Sequence, residues 1–355
     1  MIEKKKVLIG MSGGVDSSVA AAVLLEKGYD VIGVTLNNNC CSLSAVDDAG
    51  RVARKLDIPY YVMDFKDIFK EIVIDYFVNE YLEGRTPNPC VVCNRHVKFE
   101  ALLNKALSMG IDYIATGHYA RVEYNVDKDR YLLKMALALE KDQSYALYNL
   151  TQEQLSKTLF PLGEYTKEEV RDFALKYGLP VAAKPDSQEI CFIDDNDYGK
   201  YIYEHTDAKI LPGYFVDTEG NILGKHKGII HYTVGQRRGL GIAFGKPMYV
   251  VEIDKENNQV VIGDLQDVLS KTLIAGNLNF ISVPSIDNID KGLRVNAKIR
   301  YSAKVASAAI YPISEDISHT KDTGDTGSTK RDISTNTSTK GKKVRVEFDS
   351  PQRAI

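Results

Sequence analysis

The chain lacks any apolar run approaching the roughly 18 residues that a membrane-spanning helix needs, so no membrane partner is expected. It also lacks a secretory signal. M-I-E-K-K-K-V-L-I-G starts basic, but its apolar stretch breaks at once into Ser and Gly, without the length or small-residue cleavage site of a signal peptide. Cysteine is scarce: five residues, odd in number and widely scattered, argue against a secreted disulfide framework and for a cytoplasmic protein with reduced thiols. A basic excess is missing too. Lys and Arg number 45 against 48 Asp and Glu, a net charge of −3, so any nucleic-acid binding must rest on local patches. What is present is ordinary for a soluble globular protein, 44% hydrophobic and 26% charged. At 355 residues the chain is too long for one core, and two or three domains are expected.

The first 115 residues alternate strand-like and helix-like segments. Val7-Leu-Ile-Gly reads as a buried strand, Ser17 to Lys27 as a helix stopped by Gly28, Tyr29 to Leu36 as a second strand and Val46 to Leu56 as a second helix. Pro59 to Asp64 reads as a third strand, and Ile111 to His118 as another, following a helix from Val97 to Met109. This alternation predicts an α/β domain, a doubly wound parallel sheet with helices on both faces, whose ligands bind beyond the C-terminal strand ends. Residues 151–178 look helical again. From about 208, short β-type runs separated by Gly, Asp and Asn predict two small β-rich domains, the last barrel-like. The expected division is 1–207, 208–274 and 275–355. Residues 314–342 are nearly free of apolar side chains and read as a flexible insertion in a long hairpin between Val305–Pro312 and Val344–Phe348. Because the chain ends at F-D-S-P-Q-R-A-I, the last barrel reads as truncated, with an unpaired strand edge.

Gly10-Met-Ser-Gly-Gly-Val-Asp-Ser-Ser18 joins the first strand to the first helix. Adjacent Gly13 and Gly14 let the backbone curl so that successive N–H groups face an anion. The helix N-terminus adds its positive dipole end, and Ser12, Ser17 and Ser18 offer hydroxyls. No Lys follows the second glycine, so this is not a Walker A loop, and it is not G-x-G-x-x-G either. A plain glycine turn capped by Asp16 or Ser17 is the bland alternative; the strand before and helix after favour phosphate binding.

Cys90 and Cys93 lie in T-P-N-P-C-V-V-C-N-R-H, ahead of a helix expected to start near Asn94. Alone, Cys-x-x-Cys is compatible with a zinc half-site, a redox pair, a sulfur carrier or simple packing. The helix N-terminus and nearby Arg95, His96 and Lys98 favour the thiolate, which is the nucleophilic and metal-binding form. Cys191, in K-P-D-S-Q-E-I-C-F-I, reads as a buried cysteine on an apolar strand, and Cys40 and Cys41 as loop cysteines without a catalytic role.

The motifs G-M-S-G-G-V-D-S-S, G-R-T-P-N-P-C-V-V-C-N, A-T-G-H-Y-A-R, K-D-Q-S-Y, D-S-Q-E-I-C-F-I and H-Y-T-V-G-Q-R-R-G-L-G occur in this order. Together they resemble the tRNA-specific 2-thiouridylases of the PP-loop ATP pyrophosphatase superfamily, over essentially the whole chain. The resemblance implies a sulfurtransferase that adenylates O2 of the tRNA wobble uridine with ATP and Mg2+ and replaces that oxygen by sulfur. It implies that Gly10, Met11, Ser12, Gly13, Gly14, Val15, Asp16, Ser17, Leu36 and Gly117 line the ATP site. Cys93 matches the nucleophile and Cys191 the cysteine that takes persulfide sulfur from a cysteine desulfurase or sulfur-relay protein. Asn88, Pro89 and Cys90 match the segment facing the target base, and Lys141, Asp142, Gln143, Arg300 and Tyr301 match tRNA contacts. The chemistry is coherent. An amide-like O2 is a poor leaving group that ATP must activate, a persulfide can supply sulfur, and a second thiol can resolve it by disulfide exchange.

Cys90 departs from the family pattern, which often has Asp there, and a thiol cannot act as that carboxylate. Cys90, Cys93 and Cys191 would instead make a three-thiolate set suited to a [4Fe-4S] cluster with one open iron, or to zinc. Two further readings stand beside the thiouridylase: another PP-loop adenylating ligase, and a non-catalytic tRNA-binding or sulfur-carrier protein. His118 is either near the nucleotide or structural, and Asp142 either touches tRNA or caps a turn. Lys225-His226-Lys227 and Arg237-Arg238 are candidates for phosphate contacts. Arg294, Lys298, Arg300 and Lys304 alternate along a β-type stretch and are expected to line one RNA-binding face.

Overall fold

The computed structural model describes residues 4–38, 43–185, 190–193, 195, 197–242, 245–287, 289, 292–313 and 342–353. Cys40, Cys41, residues 186–189 of the D-S-Q-E motif and 314–341 of the insertion lie outside the described residues. The chain forms two compact units, Met1–Ala208 and Lys209–Ile355.

The first unit is built on β1 (Lys6–Gly10), β2 (Asp30–Asn37), β3 (Tyr60–Asp64) and β4 (Tyr113–Ala115). Next come β5 (Ala120–Asn125), β6 (Arg130–Met135) and β7 (Thr158–Leu159). A five-stranded parallel sheet runs β3-β2-β1-β4-β7, with Val7 opposite Val31 on one side and Tyr113 on the other. Val7, Leu8 and Ile9 are fully buried, as a central strand covered on both faces requires. Winding goes β1 to β2 to β3 on one side and returns to β4 on the other, so the topological switch falls between β1 and β4. The Gly10 loop and the Thr116-Gly117-His118 segment both leave the sheet there.

The sheet is covered by α1 (Val15–Glu26) and α2 (Leu43–Leu56), and α1 ends where Gly28 adopts φ +86. Two longer helical runs each contain a π-helical stretch. These are α3, from Lys66–Phe69 through Lys70–Ile74 to Asp75–Leu82, and α4, from Pro89–Val92 through Cys93–Ala101 to Leu102–Ser108. The expectation of one helical stretch over 151–178 is corrected. Two short helices, α5 (Gln152–Ser156) and α6 (Lys167–Lys176), each with a complete capping box, are separated by β7. Between them Gly163 packs on the Ala120 carbonyl so closely that no Cβ fits. A last helix, α7 (Tyr198–Glu204), closes the unit, and the β5–β6 hairpin stands apart as a two-stranded sheet.

The second unit holds two four-stranded sheets. The first comprises β8 (Gly213–Val216), β9 (Ile222–His226), β10 (Tyr249–Asp254) and β11 (Gln259–Gly263), in the order β10-β11-β8-β9. The second comprises β12 (Leu269–Ala275), β13 (Leu293–Ala297), β14 (Ala306–Ile313) and β15 (Lys343–Arg353), in the order β12-β15-β14-β13. It is fully antiparallel and has its own core of Ile286, Ala308, Val344, Val346 and Phe348. Strands β14 and β15 pair with Ile313 opposite Lys343, the hairpin expected around the insertion. No helix among the described residues is long and apolar enough to cross a membrane.

Candidate active site

The glycine loop takes the shape its sequence implies, with one change of cast. Gly14, not Asp16 or Ser17, is the N-cap of α1, with extended backbone and no side-chain cap. The first-turn N–H groups, which lack intrahelical acceptors, therefore receive nothing from that cap. Gly13 needs its φ of +72 and lies against the Ala45 carbonyl. Ser17 accepts from Ser12 N at 3.1 Å, and the two hydroxyls are 3.2 Å apart. Ser18, fully buried, donates to Gly14 O at 2.7 Å; it shapes the loop and is not free to meet a phosphate as expected. Ser12 stays exposed. Met11 is buried, held by its N–H on Val34 O and by Thr35 donating to its carbonyl, while Gly10 lies beside Ala115, Thr116 and Leu36 with room for a Cβ, which would stand 4.0 Å from Leu36 Cδ1. Gly117 closes the other wall, seated on the backbone of Asp16 and Ser17.

Three residues not singled out by sequence reasoning complete this end. Asp16 accepts from Tyr119 Oη at 2.9 Å and from Lys167 Nζ at 2.6 Å, and Lys184 Nζ reaches Gly13 O at 3.0 Å and Asp48 at 2.9 Å. Hydrogen bonding to Lys184 holds the Asp48 carboxyl below its usual range. The loop has no lysine of its own, and two cations from distant segments stand beside it. The missing Walker lysine was the one available hint.

The thiol helix begins five residues earlier than expected. Asn88 caps it, accepting from Val91 N, and Pro89 occupies the first helical position, where its missing N–H costs nothing. Cys93 therefore sits one turn inside α4, 8% exposed, at the start of the π-helical stretch. Cys90 and Cys191 are exposed, and none of the three is in a disulfide. Cys191 lies in a turn between Ile190 and Phe192, not on the expected strand.

Burial overrides the expected thiolate. Desolvation pushes the Cys93 thiol up to about 12 and also raises Cys90, whose surroundings are crowded although part of its surface is open. Lys98 works in the opposite direction on both, and the charges of Cys90 and Cys191 act unfavourably on Cys93. The three thiols thus lie within one another's field. His96 does not help, because its Nδ1 is paired with Glu100 at 2.7 Å. Lys98 is half-buried and has no carboxylate partner among the described residues. In an α-helix, turning about 100° per residue, a residue five positions on would point far away. The i→i+5 winding of Cys93–Ala101 brings Lys98 back toward the face of Cys93. His118 is held neutral, its pKa lowered mainly by burial between Phe99 and Phe160, and its Nδ1 is 2.8 Å from Thr116 Oγ1.

The three thiols do not fit a cluster or zinc site. Among the described residues no group of three or more Cys, His, Asp and Glu is arranged to hold a metal ion. The expected three-thiolate cradle is therefore not formed among the described residues; Cys93 is buried in the helix, and Cys90 and Cys191 are exposed.

Asn94, 1% exposed, donates Nδ2 to Ala146 O at 2.9 Å, but its Oδ1 has no partner among the described residues, a deficit of about 1–3 kcal/mol. The Lys141-Asp142-Gln143 segment is anchored from within. Asp142 accepts from Ala136 N and Ser144 Oγ, and Gln143 exchanges bonds with Tyr119 N and O. In the second unit, the expected basic face is not a continuous strand. Strand β13 ends at Ala297, Arg294 is paired bidentately with Asp349, Arg300 donates to Val234 O, and Lys298 lies over the Tyr301 ring. His226 is buried, accepting from Gly228 N and bonded to Asn258 O, while Lys225 and Lys227 beside it are exposed.

Two family models match the chain, described as "tRNA methyl transferase HUP domain" over residues 5–195 and "tRNA methyl transferase PRC-barrel domain" over 199–264. A protein of Acetivibrio thermocellus named "tRNA-specific 2-thiouridylase MnmA" is 61% identical over 367 residues, covering 100% of this chain and 94% of that relative. A protein of the same name from Clostridioides difficile is 57% identical, covering 100% and 93%. Another, from Caldicellulosiruptor saccharolyticus, is 58% identical over 87% of this chain and 88% of its own.

Proposed function

Because the chain belongs to the tRNA-specific 2-thiouridylase family, with 61% identity to one member across its whole length, we propose that it converts the wobble uridine of tRNA to 2-thiouridine at the expense of ATP. The observation that carries the mechanism is that Cys93 and Cys191, far apart in sequence, share the unit that holds the glycine loop, where Phe192, beside Cys191, packs on Phe69 and Phe77 of α3, the helix that lies against α4, which carries Cys93.

The loop backbone, Ser12 and the start of α1 hold the phosphates, and Asp16 is the carboxylate suited to the accompanying Mg2+, which neutralises phosphate charge when bound. Uridine O2 attacks the α-phosphorus and pyrophosphate leaves. The outer sulfur of a persulfide on Cys191, loaded by a cysteine desulfurase or sulfur-relay protein, attacks C2 and AMP departs. The Cys93 thiolate then attacks Cys191 Sγ. Its S–S bond breaks with both electrons going to the sulfur on C2, thiouridine is released, and the Cys93–Cys191 disulfide is reopened by an external thiol. Burial keeps Cys93 protonated in the resting protein, so its activation must follow a change in the site. No step is routed through iron or zinc. Asn88, Pro89 and Cys90 form the rim that meets the base, Lys141 is a further tRNA contact, and the second unit, read as modules 208–274 and 275–355, carries tRNA contacts at Arg300 and Tyr301.

The test is 2-thiouridine formation on an unmodified tRNA transcript by rigorously iron-free protein given ATP, Mg2+ and a persulfide source. Product is expected, abolished by Cys93→Ser or Cys191→Ser and retained by Cys90→Ser. No product until an iron–sulfur cluster is rebuilt would overturn the relay, and AMP release with ammonia and no tRNA would favour an amidating ligase.

A further inference from the structure

The reaction needs an order: the thiol must not act before the uridine has been activated. A continuous line of hydrogen bonds joins the two ends of the site. Asp16, in the glycine loop, accepts from Tyr119 Oη at 2.9 Å. Tyr119, itself 3% exposed, gives its N–H to Gln143 Oε1 at 2.9 Å and receives Gln143 N on its carbonyl at 2.9 Å. Gln143 O accepts from Ala146 N at 2.9 Å, and Ala146 O accepts from Asn94 Nδ2 at 2.9 Å. Asn94 is the residue after Cys93, at the start of the π-helical stretch.

From this geometry we propose that Tyr119, Gln143 and Asn94 are positioning residues, a strap through which occupancy of the glycine loop sets the accessibility of the Cys93 thiol. The proposal rests on the ATP reading given above. Two observations favour a strap over inert packing. Every link is a polar contact between otherwise buried or half-buried groups, so displacement at one end is not absorbed by solvent. The far end is also incompletely satisfied: among the described residues Asn94 Oδ1 is buried without a partner, so a shift of Asn94 away from Ala146 forfeits no bond at that oxygen. When the loop fills, Asp16 turns toward the metal-bound phosphates and gives up the Tyr119 hydroxyl. The strap then slackens at Gln143, and the first turns of α4 are released with Cys93 on them. Gln143 lies midway, in the segment matched to tRNA contact, so RNA is able to act on the same line.

The experiment follows iodoacetamide labelling of Cys93, located by peptide mass spectrometry, in the full chain with and without saturating Mg2+–ATP, with ATP binding measured in parallel by calorimetry. In the parent protein ATP is expected to raise the Cys93 labelling rate fivefold or more, about 1 kcal/mol of coupling. Tyr119→Phe keeps the ring and leaves Asp16 anchored on Lys167, so the loop stays ordered. In this variant Cys93 is expected to label fast in both conditions, with less than twofold dependence on bound ATP. Asn94→Leu, close in shape, cuts the other end and is expected to do the same, while Asn94→Gln, which keeps the amide, restores part of the response. A parental response in Tyr119→Phe would overturn the strap. So would a parent that binds ATP with no change at Cys93. A parent that binds no ATP at all would instead overturn the nucleotide reading, and the strap with it.

Discussion

Replacing Gly117 by alanine places a methyl group where the backbone leaves no room for it. The new Cβ would stand 2.6 Å from Ser17 N, 2.8 Å from Asp16 C and 2.9 Å from Ser17 Cα. All three are main-chain atoms of the first turn of α1, so no side chain can swing aside. Ordinary contact begins near 3.4 Å, a shortfall of about 0.8 Å that must be met by parting the Thr116–His118 segment from the glycine loop. Overpacking of this kind costs about 1–3 kcal/mol in stability. The kinetic effect is expected to be larger, since roughly 1 Å of misplacement at a reacting centre costs about 10²-fold. Gly10→Ala is the internal comparison. Its Cβ would meet Ala115 O, Thr116 Cγ2 and Leu36 Cδ1 at 3.8, 3.9 and 4.0 Å, all ordinary contacts, so its stability should match the parent. Denaturant unfolding gives the stabilities, calorimetry the ATP affinity, and thiouridine formation the rate. A Gly117→Ala protein that binds ATP and turns over like the parent would refute the reasoning.

Cys93 should label progressively faster through the alkaline range without levelling off below about pH 12, and Lys98→Met, which removes the cation opposing desolvation, should slow labelling at every pH. Because the unfolded thiol ionises near 9.0 and the folded one near 12, this group's contribution is intact below 9.0 and lost as pH rises between them, by up to roughly 4 kcal/mol. Unfolding of the parent and Cys93→Ala compared over that range checks it. The Asp48 carboxyl, lowered chiefly by Lys184, stabilises the fold above about 3.8 and loses that effect on acidification, so Lys184→Met should flatten the acid limb of the stability curve. Affinity for tRNA should fall linearly with log salt, and Lys141→Ala, if Lys141 meets a phosphate, should reduce the slope by about one.

The α/β framework was legible because its signals are local: a run of Val, Leu and Ile fully buried in β1, paired glycines at the loop, and Gly28 at positive φ ending α1. The strand–loop–helix shape at the glycines was legible for the same reason, as was the strand pairing around the insertion. The thiol chemistry was not. Sequence proximity put Arg95, His96 and Lys98 beside Cys93, but His96 pairs with Glu100, and the decisive effect, burial, depends on what packs over the helix. Lys167 and Lys184 were missed because neither stands near the loop in the chain, whereas Tyr119, two residues after Gly117, was within reach through the A-T-G-H-Y-A-R motif. The run over 151–178 misled because Pro161 and Gly163, both poor in a helix interior, were passed over; the chain breaks there into β7 and the close approach of Gly163 to Ala120.

The winding of α4 through Cys93–Ala101 also bears on how this site can change by mutation. An i→i+5 stretch holds more residues per turn than the α-helix on either side, so it behaves as surplus length stored in the helix. Substitutions leave that surplus in place, whereas deleting one residue between Cys93 and Lys98 would remove it, rewinding the segment to plain α-helix with Lys98 four positions from the thiol and still within about 40° of its face. Variation here is therefore stepwise. Side chains around Cys93 are open to gradual exchange, but the phase between the nucleophile and Lys98 moves only by whole residues: one deletion keeps them on one face, and a second, leaving Lys98 three positions on, would begin to swing it away.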